Sequence, residues 1–200
     1  MKIAGLKITL DDVQPTVTRR IEVPLDIKLA DLHLVIQAAM PWDNYHLYEF
    51  RARDRRWGLP QPGFDWPDMP RVLSAKGSSL SDLVDSSGAK TFKYLYDFGD
   101  GWEHKVKIER VCEPTSGVAC PRLIDAAGRC PPEDVGGPWG YAEYLEAMAD
   151  PNHQRHAEMV EWRGPDFDPN IVDVAGIERQ LAKLAKRLSR SRSRRAQKAA

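Results

Sequence analysis

Two aspartates, an Asp-Gly pair and a histidine fall within eight residues of this chain, Asp97-Phe98-Gly99-Asp100-Gly101-Trp102-Glu103-His104. A carboxylate that holds an imidazole fixes its tautomer and raises its pKa, which suits a general base or a metal ligand. Residues 91–110 alternate on both sides of the Asp-Gly pair, the pattern of an antiparallel hairpin. With Asp100 and Gly101 as the central residues of a two-residue type I′ turn, Asp97 faces His104. Directly opposed Cβ atoms lie about 4.5–5.5 Å apart, within hydrogen-bonding reach for these two side chains. That register places Asp97, Leu95, Trp102, His104, Val106 and Ile108 on one face, and sets Phe92, Tyr94, Tyr96 and Phe98 against Glu109, Lys107, Lys105 and Glu103 on the other. Asp97, Asp100 and His104 are therefore the candidate catalytic residues, with His33 and His46 as further histidines from neighbouring elements. The same arrangement also suits a buried polar pair with no chemistry, because buried polar groups are normally hydrogen-bonded.

Three other groups of residues have types that could hold an ion or a partner. Cys112, Cys120 and Cys130 could bind zinc together with a histidine, although structural zinc sites normally show closely spaced ligand pairs and these are eight and ten residues apart. Glu133 and Asp134 lie in a loop bounded by Pro-Pro and Gly-Gly, able to present carboxylates to a cation or to favour the start of a following helix. His153 and His156 are spaced to share a helical face. Last comes an Arg/Ser-rich end, whose Arg190, Arg192, Arg194 and Arg195 are candidate phosphate-backbone contacts.

The elements that must position these groups follow from periodicity. Residues 3–10 and 17–23 alternate as strands, residues 29–40 carry Leu29, Leu32, Ile36, Ala39 and Met40 on one helical arc with His33 at its border, and residues 45–53 alternate as a third strand. A Pro-rich excursion over residues 54–70 holds Trp57 and Trp66, and a short helix is expected over 79–84 before the hairpin. Pro138 marks a helix start, with Tyr141, Ala142, Leu145, Met148 and Ala149 as its buried stripe. Ile177, Leu181, Leu184 and Leu188 form the stripe of a last helix. The pattern predicts an α+β fold, a β-grasp-like mixed sheet with helices on one face and a helical C-terminal third.

Two hundred residues with 42% apolar content are enough for one sizeable core. The expected division is a single domain over residues 1–175, an amphipathic helix over 176–188 and a disordered basic tail over 189–200. No apolar run approaches membrane-spanning length, and three cysteines without a Cys-x-x-Cys pair argue against a disulfide framework, so a reducing cytoplasm is expected. The net charge of zero hides an asymmetry. Nine of the 29 basic residues lie from Arg179 onward with no acid among them, which leaves 20 bases against 29 acids in residues 1–178.

Three sequence blocks together are diagnostic: YDFGDGWEH at 96–104, LADLHLVIQAAMPWDNYHLYEF at 29–50 and CPPEDVGGPWGYAEYLEAMADPNHQRHAEMVEW at 130–162. They resemble the plasmid pRiA4b Orf-3-like family over most of residues 15–170. The chain departs from that pattern at Thr18, where many relatives have Trp, at Pro41, where Gly is usual, and at Leu123, where many have Cys. The last change removes one member of the family's most plausible metal-ligand pair. Some relatives are labelled TnpR resolvases of insertion sequences, so the resemblance implies a fold and a mobile-element neighbourhood and brings no reaction with it. A serine recombinase needs an early nucleophilic serine in an Arg-rich site, yet the first serine here is Ser74. No helix-turn-helix reader is evident either.

The leading expectation is a cytoplasmic binding domain without a cofactor, acting near nucleic acid or a protein partner and away from membranes. Its partner surface would include His33, His46, Tyr94, Tyr96, Trp102, Glu133 and Asp134. The rival is a small hydrolase dependent on a divalent metal, using Asp97, Asp100 and His104 with Glu133 or Asp134 as further ligands.

Overall fold

The computed structural model describes residues 2–60 and 70–199, with side chains to residue 193. Trp66 lies outside the described residues. The chain opens with a hairpin of β1 (Ile3–Leu10) and β2 (Thr18–Pro24), followed by α1 (Leu29–Ala39), β3 (Tyr48–Ala52), β4 (Arg55–Gly58) and β5 (Val72–Ser74). Helix α2 (Leu80–Ser87) leads to β6 (Thr91–Tyr96), β7 (Trp102–Cys112) and β8 (Arg122–Ala127), and the chain ends in α3 (Gly137–Ala149), α4 (His156–Arg163) and α5 (Val174–Ala199). The class is α+β as expected, with one eight-stranded mixed sheet in the order β5-β4-β3-β6-β7-β1-β2-β8. Among the described residues, only β4 and β5 pair in parallel. Three of these strands, β4, β5 and β8, are short pieces beside loop-forming residues and lack the alternation that would announce them.

One face of the sheet is the core. Trp57, Phe50, Tyr48, Tyr94, Tyr96, Trp102, Val106, Ile8 and Ile21 are all buried, and the pairing places them on neighbouring strands of the same face. Fully burying each large apolar side chain contributes about 1.5–3 kcal/mol against exposure. Helix α1 covers this face: Leu29, Leu32 and Ile36 are buried, and the His33 ring stacks on Tyr48 with centroids 3.6 Å apart.

The hairpin register differs from the two-residue turn that Asp-Gly suggests. Tyr96 pairs with Trp102, Tyr94 with His104 and Phe92 with Val106, so His104 faces Tyr94 and not Asp97. The connecting loop is five residues, 97–101. Asp97 (φ 53°) and Gly101 (φ 70°) both adopt left-handed backbone, and the Gly101 N–H closes the loop by donating to the Asp97 carbonyl at 2.7 Å. The change of register is odd in residue number, so every side chain of one strand exchanges faces relative to the other. The aromatics therefore share the core face with His104 and do not oppose the Lys and Glu residues of β7.

His104 is fully buried, and its Nδ1 donates to the carbonyls of Tyr94 (3.2 Å) and Trp102 (3.1 Å). His33 joins a chain in which its Nδ1 lies 2.7 Å from the Tyr94 hydroxyl and its Nε2 meets the Asn44 side-chain carbonyl. Both histidines are polar members of the core.

The C-terminal third differs from its expected packing in detail. Helix α3 begins with Pro138 in its first turn and buries Tyr141, Tyr144 and Ala147, while Ala142 and Ala149 are exposed. The two tyrosines are selected because their rings pack on Phe167, at 6.2 Å and 5.1 Å between centroids. Helix α5 buries Ile177, Leu181, Ala185 and Leu188, with Leu184 partly buried against them. The helix continues past Ser189, where a disordered tail is expected, to Ala199. Within that extension Arg192 pairs with Asp26 at 2.5 Å, and one turn earlier Arg187 reaches Asp31 at 3.4 Å.

Burial holds the pKa of both His33 and His104 down to about 4, from the ordinary 6.5. Between those values the unfolded chain binds protons that the folded chain does not, so stability is complete above about pH 6.5 and is lost as pH falls toward 4. Urea unfolding across this window is expected to show a decline of up to ~1.4 kcal/mol per pH unit for each of the two histidines. A flat profile from pH 7 to 5 contradicts the buried neutral assignment.

Candidate metal centre

Three loops meet at one end of the sheet. The first is the segment between α1 and β3, which carries His46. The second is the hairpin loop with Asp97, and the third is the segment between β8 and α3, which carries Glu133 and Asp134.

A buried node ties them together. The Tyr96 hydroxyl donates to Glu133 Oε1 at 2.9 Å and accepts from the backbone N–H groups of Tyr45 (3.1 Å) and His46 (3.4 Å). Glu133 Oε1 also accepts from the Asp43 N–H at 2.8 Å. Tyr96 is fully buried and Glu133 nearly so. Burial first, and then the bond to Glu133, push the Tyr96 hydroxyl well above its ordinary pKa, which keeps it a donor at any physiological pH.

Further bonds set the two remaining loops. The Asp97 N–H donates to the Leu47 carbonyl at 2.9 Å, and Asp97 Oδ1 accepts from the Gly99 N–H at 2.9 Å, an Asx turn that leaves Oδ2 available. Trp42 Nε1 donates to the Pro131 carbonyl (3.0 Å) and Arg163 Nη2 to the Glu133 carbonyl (2.8 Å). Gly137 is packed so closely under the hairpin that an added Cβ would lie 2.3 Å from the Asp100 carbonyl oxygen, at a φ of +69°. The Gly136 N–H donates to Asp100 Oδ2 at 3.2 Å. Asp100 thus anchors one loop to the other.

The outcome is a cluster of three potential ligands. His46 Nε2 lies 3.1 Å from Asp134 Oδ1 and 3.6 Å from Asp97 Oδ2, and one ligand atom from each residue falls within 4.8 Å of the others. Nε2 is sequestered from solvent yet makes no hydrogen bond of good geometry. Donor atoms about 2.1 Å from a shared ion stand about 3.0 Å apart at a right angle and about 3.4 Å apart at the tetrahedral angle, so 3.1 Å fits a near-right angle and 3.6 Å an angle somewhat wider than tetrahedral. The Asp97 side chain is 11% exposed, His46 30% and Asp134 64%, so one side of the cluster is open to solvent.

Of the expected site residues, the structure brings Asp97, His46 and Asp134 together, with Glu133 directly beneath them. His104 is excluded, because the register places it in the core on Tyr94. His33 is bound to Tyr94 and Asn44. Tyr94, Tyr96 and Trp102 are at most 1% exposed; Tyr96 supports the site from below, while Tyr94 and Trp102 pack in the core. The three cysteines form no ligand group with a histidine among the described residues; Cys112 is exposed and Cys130 buried, and burial pushes the Cys130 thiol up to about 12. His153 and His156 serve local backbone, the first accepting from the Arg155 N–H (3.2 Å) and the second bonding the Ala147 carbonyl (2.7 Å). Arg190 is exposed, and the side chains of Arg194 and Arg195 lie outside the described ones. The grouping itself depends on contacts between segments far apart in the chain. Asp97 and Asp134, of a residue type that tolerates left-handed backbone, both adopt it here, with φ of 53° and 61°.

Residues 2–176 match the family model of the plasmid pRiA4b ORF-3-like protein. The uncharacterized protein y4hQ of Sinorhizobium fredii (strain NBRC 101917 / NGR234) is 51% identical over 193 residues, 96% of this chain and 97% of the relative. The crystal structure of the protein of unknown function MM3350 from Methanosarcina mazei Go1 superposes with a TM-score of 0.77 at 35% identity, covering 87% of this chain and 96% of that one. The chain belongs to the plasmid pRiA4b ORF-3-like family. Neither relative's description names a reaction or a resolvase.

Replacing Tyr96 by Phe removes the hydroxyl that serves Glu133, Tyr45 and His46 and leaves a buried carboxylate short of a partner. The expected loss in urea unfolding at pH 7 is ~1–3 kcal/mol. A variant as stable as the wild type removes the node from the account.

Proposed function

We propose that this member of the plasmid pRiA4b ORF-3-like family binds a divalent metal ion between His46, Asp97 and Asp134, and uses it in hydrolysis of an ester or phosphoester. The observation that carries the reading is the convergence of three ligand atoms, from loops far apart in sequence, within 4.8 Å of one another. One imidazole with two carboxylates suits Zn²⁺ or Mn²⁺. Three protein ligands with an open side is the pattern of catalytic zinc sites, in which the remaining position holds water whose pKa falls to about 7. Glu133, braced by Tyr96 and Asp43, would hold the adjacent Asp134 in place as a supporting residue, the way such residues tune metal sites. The alternative for the same atoms is an ion pair between a protonated His46 and its two carboxylates.

The reading as a nucleic-acid-binding domain with a basic tail has less support. Its aromatic surface is buried, and the basic helix directs Arg187 and Arg192 at Asp31 and Asp26.

Isothermal titration calorimetry of the untagged, chelator-treated protein with ZnCl₂ and with MnCl₂ tests the proposal. The expected result is one site per chain for at least one ion, weakened tenfold or more in Asp97→Asn and in His46→Gln, with His104→Phe binding as the wild type does. Absence of binding, or equal binding by the Asp97 and His46 variants, leaves the ion pair as the explanation of the cluster.

A further inference from the structure

The sheet face opposite the core carries charge across its width. Directly paired residues share a face, so the register sets Arg51, Lys93 and Lys105 abreast on β3, β6 and β7. It sets Lys107, Lys7 and Arg20 abreast on β7, β1 and β2. The two rows are neighbours, two residues apart on β7. Together they form a band of six cations running diagonally over five strands, about 19 Å at about 4.8 Å per strand.

The ends of this band are neutralised. Arg51 pairs with Glu49, Lys93 with Asp11 and Glu103, and Arg20 with Glu109 and Asp125. Glu49, lying over Gly58 on the adjacent strand, also takes Arg56 at 2.6 Å. At the centre stand Lys7, Lys105 and Lys107, for which no carboxylate lies within ion-pair distance among the described residues. Lys105 and Lys107 are exposed and Lys7 is partly so. Lys7 directly opposes Lys107, and Lys105 opposes Lys93, whose charge Asp11 and Glu103 offset. Like charges placed opposite each other destabilise a sheet, so a bound anion would relieve the Lys7/Lys107 opposition.

We infer that this open sheet face binds the phosphate backbone of a nucleic acid through Lys7, Lys105 and Lys107. Three ammonium groups with no ion-pair partner of their own, beside acids that are already taken by Lys93 and Arg20, give an electrostatic attraction for closely spaced phosphates, and among the described residues no aromatic side chain of the paired strands on this face adds base stacking. The binding is therefore sequence-independent and strongly dependent on salt. It also uses a face other than the helix α5 that the chain's charge distribution first suggests. The inference is independent of the metal centre, which lies at the loop end of the hairpin.

Fluorescence anisotropy of a labelled 20-nucleotide single strand, titrated with the full chain over a salt series, tests it against two triple variants. The expected result is micromolar or tighter binding by the wild type at low salt. Lys7→Gln/Lys105→Gln/Lys107→Gln should weaken binding at least tenfold and reduce the slope of log K against log[salt] by about two. Lys183→Gln/Lys186→Gln/Arg190→Gln on α5 should bind within twofold of the wild type. The sheet variant should melt no lower than the wild type, because it removes opposed like charges, so lost binding cannot be ascribed to unfolding. The inference is overturned by a wild type that does not bind, by a sheet variant that binds unchanged, or by loss confined to the α5 variant.

Discussion

The site depends on one buried hydrogen bond, from the Tyr96 hydroxyl to the Glu133 carboxylate. Tyr96 is the last residue of β6, and its position follows from the register of the sheet. Glu133 belongs to a loop with no sheet partner at all. Because a buried carboxylate is costly without donors, the loop settles where Tyr96 and the Asp43 N–H supply them. The Tyr96 oxygen in turn accepts from Tyr45 and His46, so a single phenol positions all three loops. Asp97 follows directly after Tyr96, His46 is held by it, and Asp134 follows directly after Glu133. Each of the three converging side chains is at most one covalent step from this node or bonded to it.

The charge of the molecule is organised by the same economy of partners. A neutral total conceals an acidic body and a basic C-terminal helix, and the two are joined by Arg187 with Asp31 and Arg192 with Asp26. These are surface pairs of small individual worth, and the apolar stripe of Ile177, Leu181 and Leu188 does most of the docking. On the open face of the sheet, Glu22 shows the opposite balance. Its burial alone would raise the carboxyl pKa, yet Arg110 and Arg122 overcome that and leave it lowered. Against this background of paired charge, the three central lysines stand out.

Much of the fold could be read from local patterns. The first two strands, α1 and the apolar stripe of α5 follow their periodicities closely, because each faces a single apolar surface. The hairpin did not, and the reason is physical. Asp-Gly favours a two-residue turn, but Asp97 itself takes left-handed backbone and is tied to Gly99 and Gly101, which lengthens the loop to five residues. The alternation contained the correction: pairing Phe92, Tyr94 and Tyr96 with Val106, His104 and Trp102 puts the apolar side chains on one face, whereas the two-residue turn sets aromatics against Lys and Glu. As for the site, Asp97, His46 and Asp134 were each recognisable as candidates. Their convergence was not, since it depends on Tyr96, Glu133 and the close approach of Gly137 to Asp100, all contacts between segments far apart in the chain. His104 faces Asp97 only if the turn is two residues long, and with the five-residue loop it faces Tyr94.

The most direct measurement of the central claim is anomalous diffraction from crystals of the protein soaked in whichever of MnCl₂ and ZnCl₂ binds in solution, collected with and without the ion. The account predicts one strong peak within about 2.3 Å of His46 Nε2 and of one carboxylate oxygen each from Asp97 and Asp134. A map with no peak there, or with the His46 ring hydrogen-bonded directly to the two carboxylates and the ion bound elsewhere, contradicts it.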